Sequence, residues 1–254
     1  MSFRFRALSA VLSAAVVASA APTFAQSADA GSAAQEPAAA SGLDLKFSGG
    51  VTFSSDYVAR GFSLNDRQGV VQGFIEGAIP LTDKINLVGG VWASSLDKDV
   101  QRGGSEVDPY VGLTGDLGEG KSWRVAYWRV TFPDAPVEQD FNEYIASYTF
   151  PVGPVSTTLF ALYDDYDVGD SLFMTVTGVY PIANTPFSIK GVVGYEDGIN
   201  WDDKVNWSIG GLYDYRGVTF SLSYVDTNRF LAKSNDPAEN VADGNVVFAV
   251  SKSF

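Results

Sequence analysis

Val218-Thr219-Phe220-Ser221-Leu222-Ser223-Tyr224 alternates apolar and polar residues without a break. A period of two is the strand period, so Val218, Phe220, Leu222 and Tyr224 share one face and Thr219, Ser221 and Ser223 the other. Working outward, the pattern recurs. Val205, Trp207, Ile209 and Tyr213 oppose Lys204, Asn206 and Ser208, and Val246, Phe248, Val250 and Phe254 form a closing apolar series. Upstream, Phe187, Ile189, Val193 and Tyr195 oppose Ser188, Lys190 and Glu196, and Tyr144, Tyr148 and Phe150 oppose Glu143 and Ser147. Leu45, Phe47, Val51, Phe53 and Tyr57 oppose Lys46, Ser48, Thr52, Ser54 and Asp56 at the start of the series. About twelve strands of roughly ten residues are expected, a length that suits tilted strands crossing a bilayer.

The connections alternate in length. Tight turns are expected at Pro80–Asp83, Asp116–Lys121, Pro151–Pro154, Pro181–Pro186 and Tyr215–Gly217, and longer loops at Arg60–Gln68, Asp97–Ser105, Pro133–Asp140 and Thr227–Gly244. Pro cannot donate to a ladder and Gly tolerates positive φ, so both mark turns. Short turns on one side and longer loops on the other are the outer-membrane arrangement.

A soluble β-sandwich would alternate in the same way, with its apolar face toward a core. A membrane barrel instead turns that face to lipid and borders it with aromatic girdles, where amphipathic rings are favoured. Here the apolar parity carries Phe47, Trp123, Phe150, Tyr180, Phe187, Tyr213 and Phe254 toward the short-turn ends, and Tyr57, Tyr163, Tyr195, Trp207 and Tyr224 toward the long-loop ends. The expectation is an all-β, transmembrane, antiparallel up-and-down barrel with both termini periplasmic. It closes because an open edge in lipid would leave backbone groups without partners. Phe254, with Val250 and Phe248, is read as the signal for the barrel-assembly machinery.

Composition and the N-terminal region set the compartment. Arg4 and Arg6 precede an apolar stretch from Ala7 to Ala21, and Thr23-Phe24-Ala25 offers a cleavage site, so residues 1–25 read as a signal peptide. Residues 26–42, rich in Ala, Ser and Pro, read as a disordered lead-in, and 43–254 as the barrel. With 17 basic against 30 acidic residues the chain carries a net charge of −13, which argues against a nucleic-acid partner. The chain has no cysteine, hence no disulfide framework, and no histidine, hence no ordinary base for hydrolytic chemistry. The adjacent pairs Asp164-Asp165 and Asp202-Asp203 do not converge, because neighbours on a strand face opposite ways. Asp164 to Asp170 is dense in oxygen ligands but lacks the ligand set of a calcium loop, so it reads as a polar hairpin tip. No catalysis, cofactor or metal is expected.

Ser55-Asp56-Tyr57, Arg60-Gly61-Phe62-Ser63 and Val71-Gln72-Gly73 resemble the opening motif of the TorF family of porins, long catalogued as conserved hypothetical proteins. Gly90–Ser94, Glu106–Tyr110 and Asp140–Tyr144 are similar to its later blocks, and the resemblance runs from Leu43 to Phe254. Pro109 and Phe141 depart from the family pattern. The resemblance implies a porin-type barrel and supplies no substrate.

Function is therefore sought in the lumen. By parity the inward acids are Asp56, Glu76, Glu106, Asp108, Glu143, Asp164, Glu196 and Asp214, and the inward bases Lys46, Lys84, Arg124, Lys190 and Lys204. Asp56, Arg60, Glu76, Asp108, Arg124 and Glu143 are the candidate pore-lining residues. They would screen and hydrogen-bond small hydrophilic solutes diffusing passively, with a mild cation preference. The rival reading is a closed barrel with a structural or surface-interaction role, since these charges could pair across a narrow interior and plug it. Outer-membrane lipid and lipopolysaccharide are the expected surroundings.

Overall fold

The computed structural model describes residues 45–97, 103–166, 169–198, 203–231 and 240–254. The expected signal peptide and lead-in lie outside these residues, as do parts of the longer connections.

Among the described residues every regular element is a strand: β1 (Lys46–Ser54), β2 (Val58–Ala59), β3 (Phe62–Ser63), β4 (Val70–Pro80), β5 (Ile85–Ser95), β6 (Ser105–Gly118), β7 (Lys121–Val130), β8 (Phe141–Val152), β9 (Val155–Tyr166), β10 (Gly169–Pro181), β11 (Phe187–Gly198), β12 (Lys204–Tyr215), β13 (Val218–Thr227) and β14 (Asn245–Ser253). Twelve of them form one closed antiparallel barrel, each paired to its neighbour along the chain, and β2 and β3 form a separate two-stranded sheet. β1 and β14 close the ring from Gly50↔Ser253 to Ser54↔Ala249. Two further backbone hydrogen bonds join Gly49 and Phe254, each 3.0 Å.

The alternation has the sense expected of a membrane barrel rather than a sandwich. Val51, Ile75, Val176, Val193, Ile209 and Val246 are exposed on the outside, while Glu76, Asp108, Glu143, Asp164 and Glu196 are buried inside. An apolar belt of this extent facing outward is not left bare by a water-soluble monomer. Aromatic contacts run across strands within it: Phe187 and Tyr213 at 4.9 Å on the short-turn side, Tyr127 and Tyr144 at 5.5 Å toward the long loops.

Turn chemistry explains the tight side. Arg216 and Gly217 have φ of 51° and 74°, the paired positive values of the two-residue hairpin turn whose twist matches the strands. The turn expected over Asp116–Lys121 is tighter than its composition suggested. β6 continues through an irregularity at Asp116–Gly118, and only Glu119 and Gly120 connect it to β7. The long-loop side is not uniformly long either, since only two residues separate β9 from β10.

One girdle assignment is corrected. Tyr57 does not continue the outward face of β1; it is 2 % exposed, inside the barrel. β1 ends at Ser54, where the Ser54 hydroxyl donates to the Asp56 carbonyl at 2.7 Å. The chain turns inward there, so parity no longer applies.

Candidate functional site

By register every second residue faces the lumen, and the two ends of the barrel differ. Near the long loops the inward residues Phe141, Glu143, Asp164, Tyr166, Phe173, Glu196 and Lys204 are buried. Nearer the short turns Ser147, Thr149, Thr175, Thr177, Ser208 and Ser223 face inward yet are only partly buried. Small hydroxyl side chains leave room there, and they bond to one another across strands, as Thr52 with Ser251 and Thr149 with Thr158, both at 2.9 Å.

The β2–β3 hairpin makes the difference. Its central residues, Arg60 and Gly61, have φ of 50° and 90°, again the paired positive turn. For arginine that backbone costs about 1–2 kcal/mol, which its contacts must offset. Glycine is required at the second position. A Cβ on Gly61 would lie 2.8 Å from Cβ of Asn206 on β12 and 2.9 Å from Cβ of Thr227 on β13.

At the tip, Arg60 Nη1 donates to Asp164 Oδ2 at 2.7 Å and Nη2 to Asp164 Oδ1 at 3.0 Å. Nη1 also donates to Glu196 Oε1 at 3.0 Å, and Nη2 to Glu143 Oε1 at 3.4 Å. The guanidinium carbon lies 5.0 Å from the centroid of the Phe173 ring. Lys204 pairs with Glu196 from the other side and sits 4.2 Å over the Phe62 ring. A planar fork matches a carboxylate in two places at once, which a lysine cannot do.

The flanks of the hairpin are apolar. Tyr57, Ala59 and Leu64 join Trp92, Tyr110, Phe132, Phe141 and Tyr166 in one cluster. Phe62 packs with Leu231 and Ala242 from the β13–β14 connection. At the base, Asp56 accepts from the Ser63 hydroxyl and from Asn245 Nδ2, both at 2.7 Å. Burial pushes the Asp56 carboxyl above its ordinary pKa, and those two bonds draw it partly back.

The candidate pore-lining residues thus fall into groups, all buried or half-buried inside the barrel. Arg60 and Glu143 meet at the hairpin tip. Glu76 and Arg124 meet on the near wall at 2.5 Å, where Glu76 also accepts from the Tyr110 hydroxyl at 3.0 Å. Tyr110 stacks on Trp128 at 4.3 Å. Asp108 lies beside Glu106 and accepts from the Thr131 amide, and Asp56 anchors the hairpin base. Asp164 and Glu196, which parity placed inward without singling them out, hold Arg60 together with Glu143, and Lys204, likewise inward by parity, pairs with Glu196. Among the other inward charges, Lys46, Lys84 and Asp214 are exposed at the short-turn end.

Asp164 faces in and Asp165 out, so that pair does not converge. Asp202, and the Asp167 of the polar hairpin tip, lie outside the described residues. Among the described residues no group of three or more acidic side chains is arranged to hold a metal ion.

In fold the chain is similar to a membrane protein solved in a study of in-meso crystallisation, at 9 % identity and a TM-score of 0.52, covering 82 % of this chain and 83 % of that one. It is also similar to the KdgM porin, at 7 % identity and a TM-score of 0.48, covering 82 % of this chain and 98 % of that one. An outer membrane channel from Pseudomonas putida F1 aligns at 13 % identity and a TM-score of 0.48, covering 85 % of this chain and 97 % of that one. These likenesses concern the fold alone. No curated protein matches by sequence. The profile of a bacterial protein family described as of unknown function matches residues 36–254.

Proposed function

The chain belongs to this bacterial family of unknown function, Gcw_chp, and from that premise we propose that it is a narrow outer-membrane channel for passive diffusion of small hydrophilic solutes, mildly cation-preferring. The observation that carries the reading is the state of the inward face. Ser147, Thr149, Thr177 and Ser208 point into the barrel and nonetheless keep part of their surface accessible. A polar, accessible interior is what a water-filled passage requires, whereas a purely structural barrel gains from filling it. The resemblance to the TorF porins supports the same class. Outer-membrane lipid and lipopolysaccharide would surround the apolar belt, and the barrel-assembly machinery would insert it.

One observation favours the second reading, a closed barrel with a structural or surface role: the β2–β3 hairpin stands across the long-loop half of the lumen. Single-channel conductance of the refolded protein decides between them. Gly61→Val removes the close approach of the tip to Asn206 and Thr227, so the variant should conduct several-fold more than the parent. Absence of conductance from both proteins would establish the closed reading.

A further inference from the structure

Arg60 is held by more acid than a latch needs. Asp164 alone satisfies the two ends of its fork, yet Glu196 and Glu143 also face the guanidinium and Phe173 lies against it. Three carboxyl groups face Arg60, and Lys204 pairs with Glu196 alone among them, so the guanidinium meets more acceptor oxygens than its fork needs. A second observation is independent of the acids. Tyr166, 7 % exposed, projects inward from β9 two residues beyond Asp164, and its hydroxyl has no hydrogen-bond partner. Arg60 Nε is likewise without one. The pocket therefore offers a hydroxyl and an aromatic wall that the tethered side chain does not use fully.

We propose that Asp164, Glu196, Glu143, Phe173 and Tyr166 form a binding site for a guanidinium or primary ammonium group on a diffusing solute, and that Arg60 is its tethered competitor. The inference rests on the channel reading and names the solute class for it. Chemistry selects this class over small inorganic cations. A guanidinium is planar, weakly hydrated and able to bind carboxylates at two points while lying against a ring. Sodium gains nothing from the ring and loses its water. The partly accessible, hydroxyl-lined face gives such a solute a route from the short-turn side up to the site. The tether is a packed hairpin held by its apolar flanks as well, so a free solute reaches the site most readily once the Arg60 side chain is removed. Displacing Arg60 would release the tip of the hairpin from the β9 wall, while its flanks stay packed in the two apolar clusters.

The test uses the full refolded barrel carrying Arg60→Ala, titrated with guanidinium chloride to ~20 mM, far below the molar range in which that salt denatures, against tetramethylammonium chloride at matched ionic strength. Removing Arg60 leaves buried carboxylates uncompensated, so the temperature at which the folded gel form is lost should fall. Guanidinium should restore it in proportion to occupancy, tetramethylammonium should not, and adding Asp164→Asn should abolish the rescue. Equal effects of the two salts on Arg60→Ala would overturn the site. In bilayers Arg60→Ala should pass guanidinium over sodium by a factor of about three or more, a modest difference in transition through one site. Rescue without conductance from any variant would leave the site standing and sink the channel reading. Conductance without rescue would do the reverse. Should Arg60→Ala fail to fold, Gly61→Val retains every charged group of the site, and the same titration on it decides in the same way.

Discussion

Arg60 and Asp164 meet fork to fork, at 2.7 and 3.0 Å, across the whole width of the barrel. In the ring of twelve strands β9 lies six strands from β1 in either direction, so the hairpin that follows β1 reaches the opposite wall. The pair ties a loop to the scaffold through charge rather than through chain connectivity. Its partners Glu143 and Glu196 come from the strands on either side of the β9–β10 pair.

That relationship predicts strong coupling. Breaking a buried ion pair from one side typically costs about 3–5 kcal/mol, because the remaining charge stays buried. Arg60→Ala and Asp164→Ala should each destabilise the folded barrel, and the double variant should lose less than the two singles together, by about 0.5–3 kcal/mol. Denaturant unfolding in detergent measures the cycle. Additive losses would mean that the two residues act separately.

Closure of the ring predicts an assembly defect. Phe254 exchanges two backbone hydrogen bonds with Gly49, and its ring covers the place where a Gly49 side chain would stand, 2.6 Å from Cζ. Deleting Phe254 should lower outer-membrane yield and weaken heat-modifiable migration, with Phe248 and Val250 supplying the remaining outward signal. Wild-type yield and migration for the deletion would remove Phe254 from that role.

Topology is tested by tags. The β8–β9 turn at Gly153-Pro154 and the end of the β13–β14 connection at Asp243 are both exposed, at opposite ends of the barrel. With periplasmic termini, a tag at Asp243 should be reached by antibody on intact cells, and one at Gly153 only after the outer membrane is opened. The reverse pattern would invert the orientation.

Selectivity should be mild and salt-dependent. At the long-loop mouth Asp97, Asp134 and Asp140 accept hydrogen bonds from Gln68, Ser105 and the Phe132 amide. Acidic groups at a mouth concentrate cations, and the effect fades as the Debye length falls from about 10 Å at 0.1 M to 3 Å at 1 M. Reversal potentials across a salt gradient should therefore favour cations at low ionic strength and approach zero at high. An anion-selective value would contradict the reading.

The period-two alternation, exemplified by Val218–Tyr224, determined the fold class, the number of barrel strands, the faces within those strands and the inward position of Asp164, Glu196 and Lys204, but not the face of Tyr57 beyond the end of β1. It could do so because the side-chain period of a strand is two and only one face can meet an apolar surrounding, so local order alone sets the facing. What tertiary structure decided is the fate of residues 55–69. Tyr57-Val58-Ala59 and Phe62-Ser63-Leu64 carry apolar side chains around Arg60-Gly61, a hairpin signal that reads locally as the tip of an ordinary surface loop. Whether such a hairpin points to solvent or into the lumen depends on what the opposite wall offers it. That wall is β9 and its neighbours, about a hundred residues along the chain, and they come within reach only when β1 and β14 pair and the ring closes.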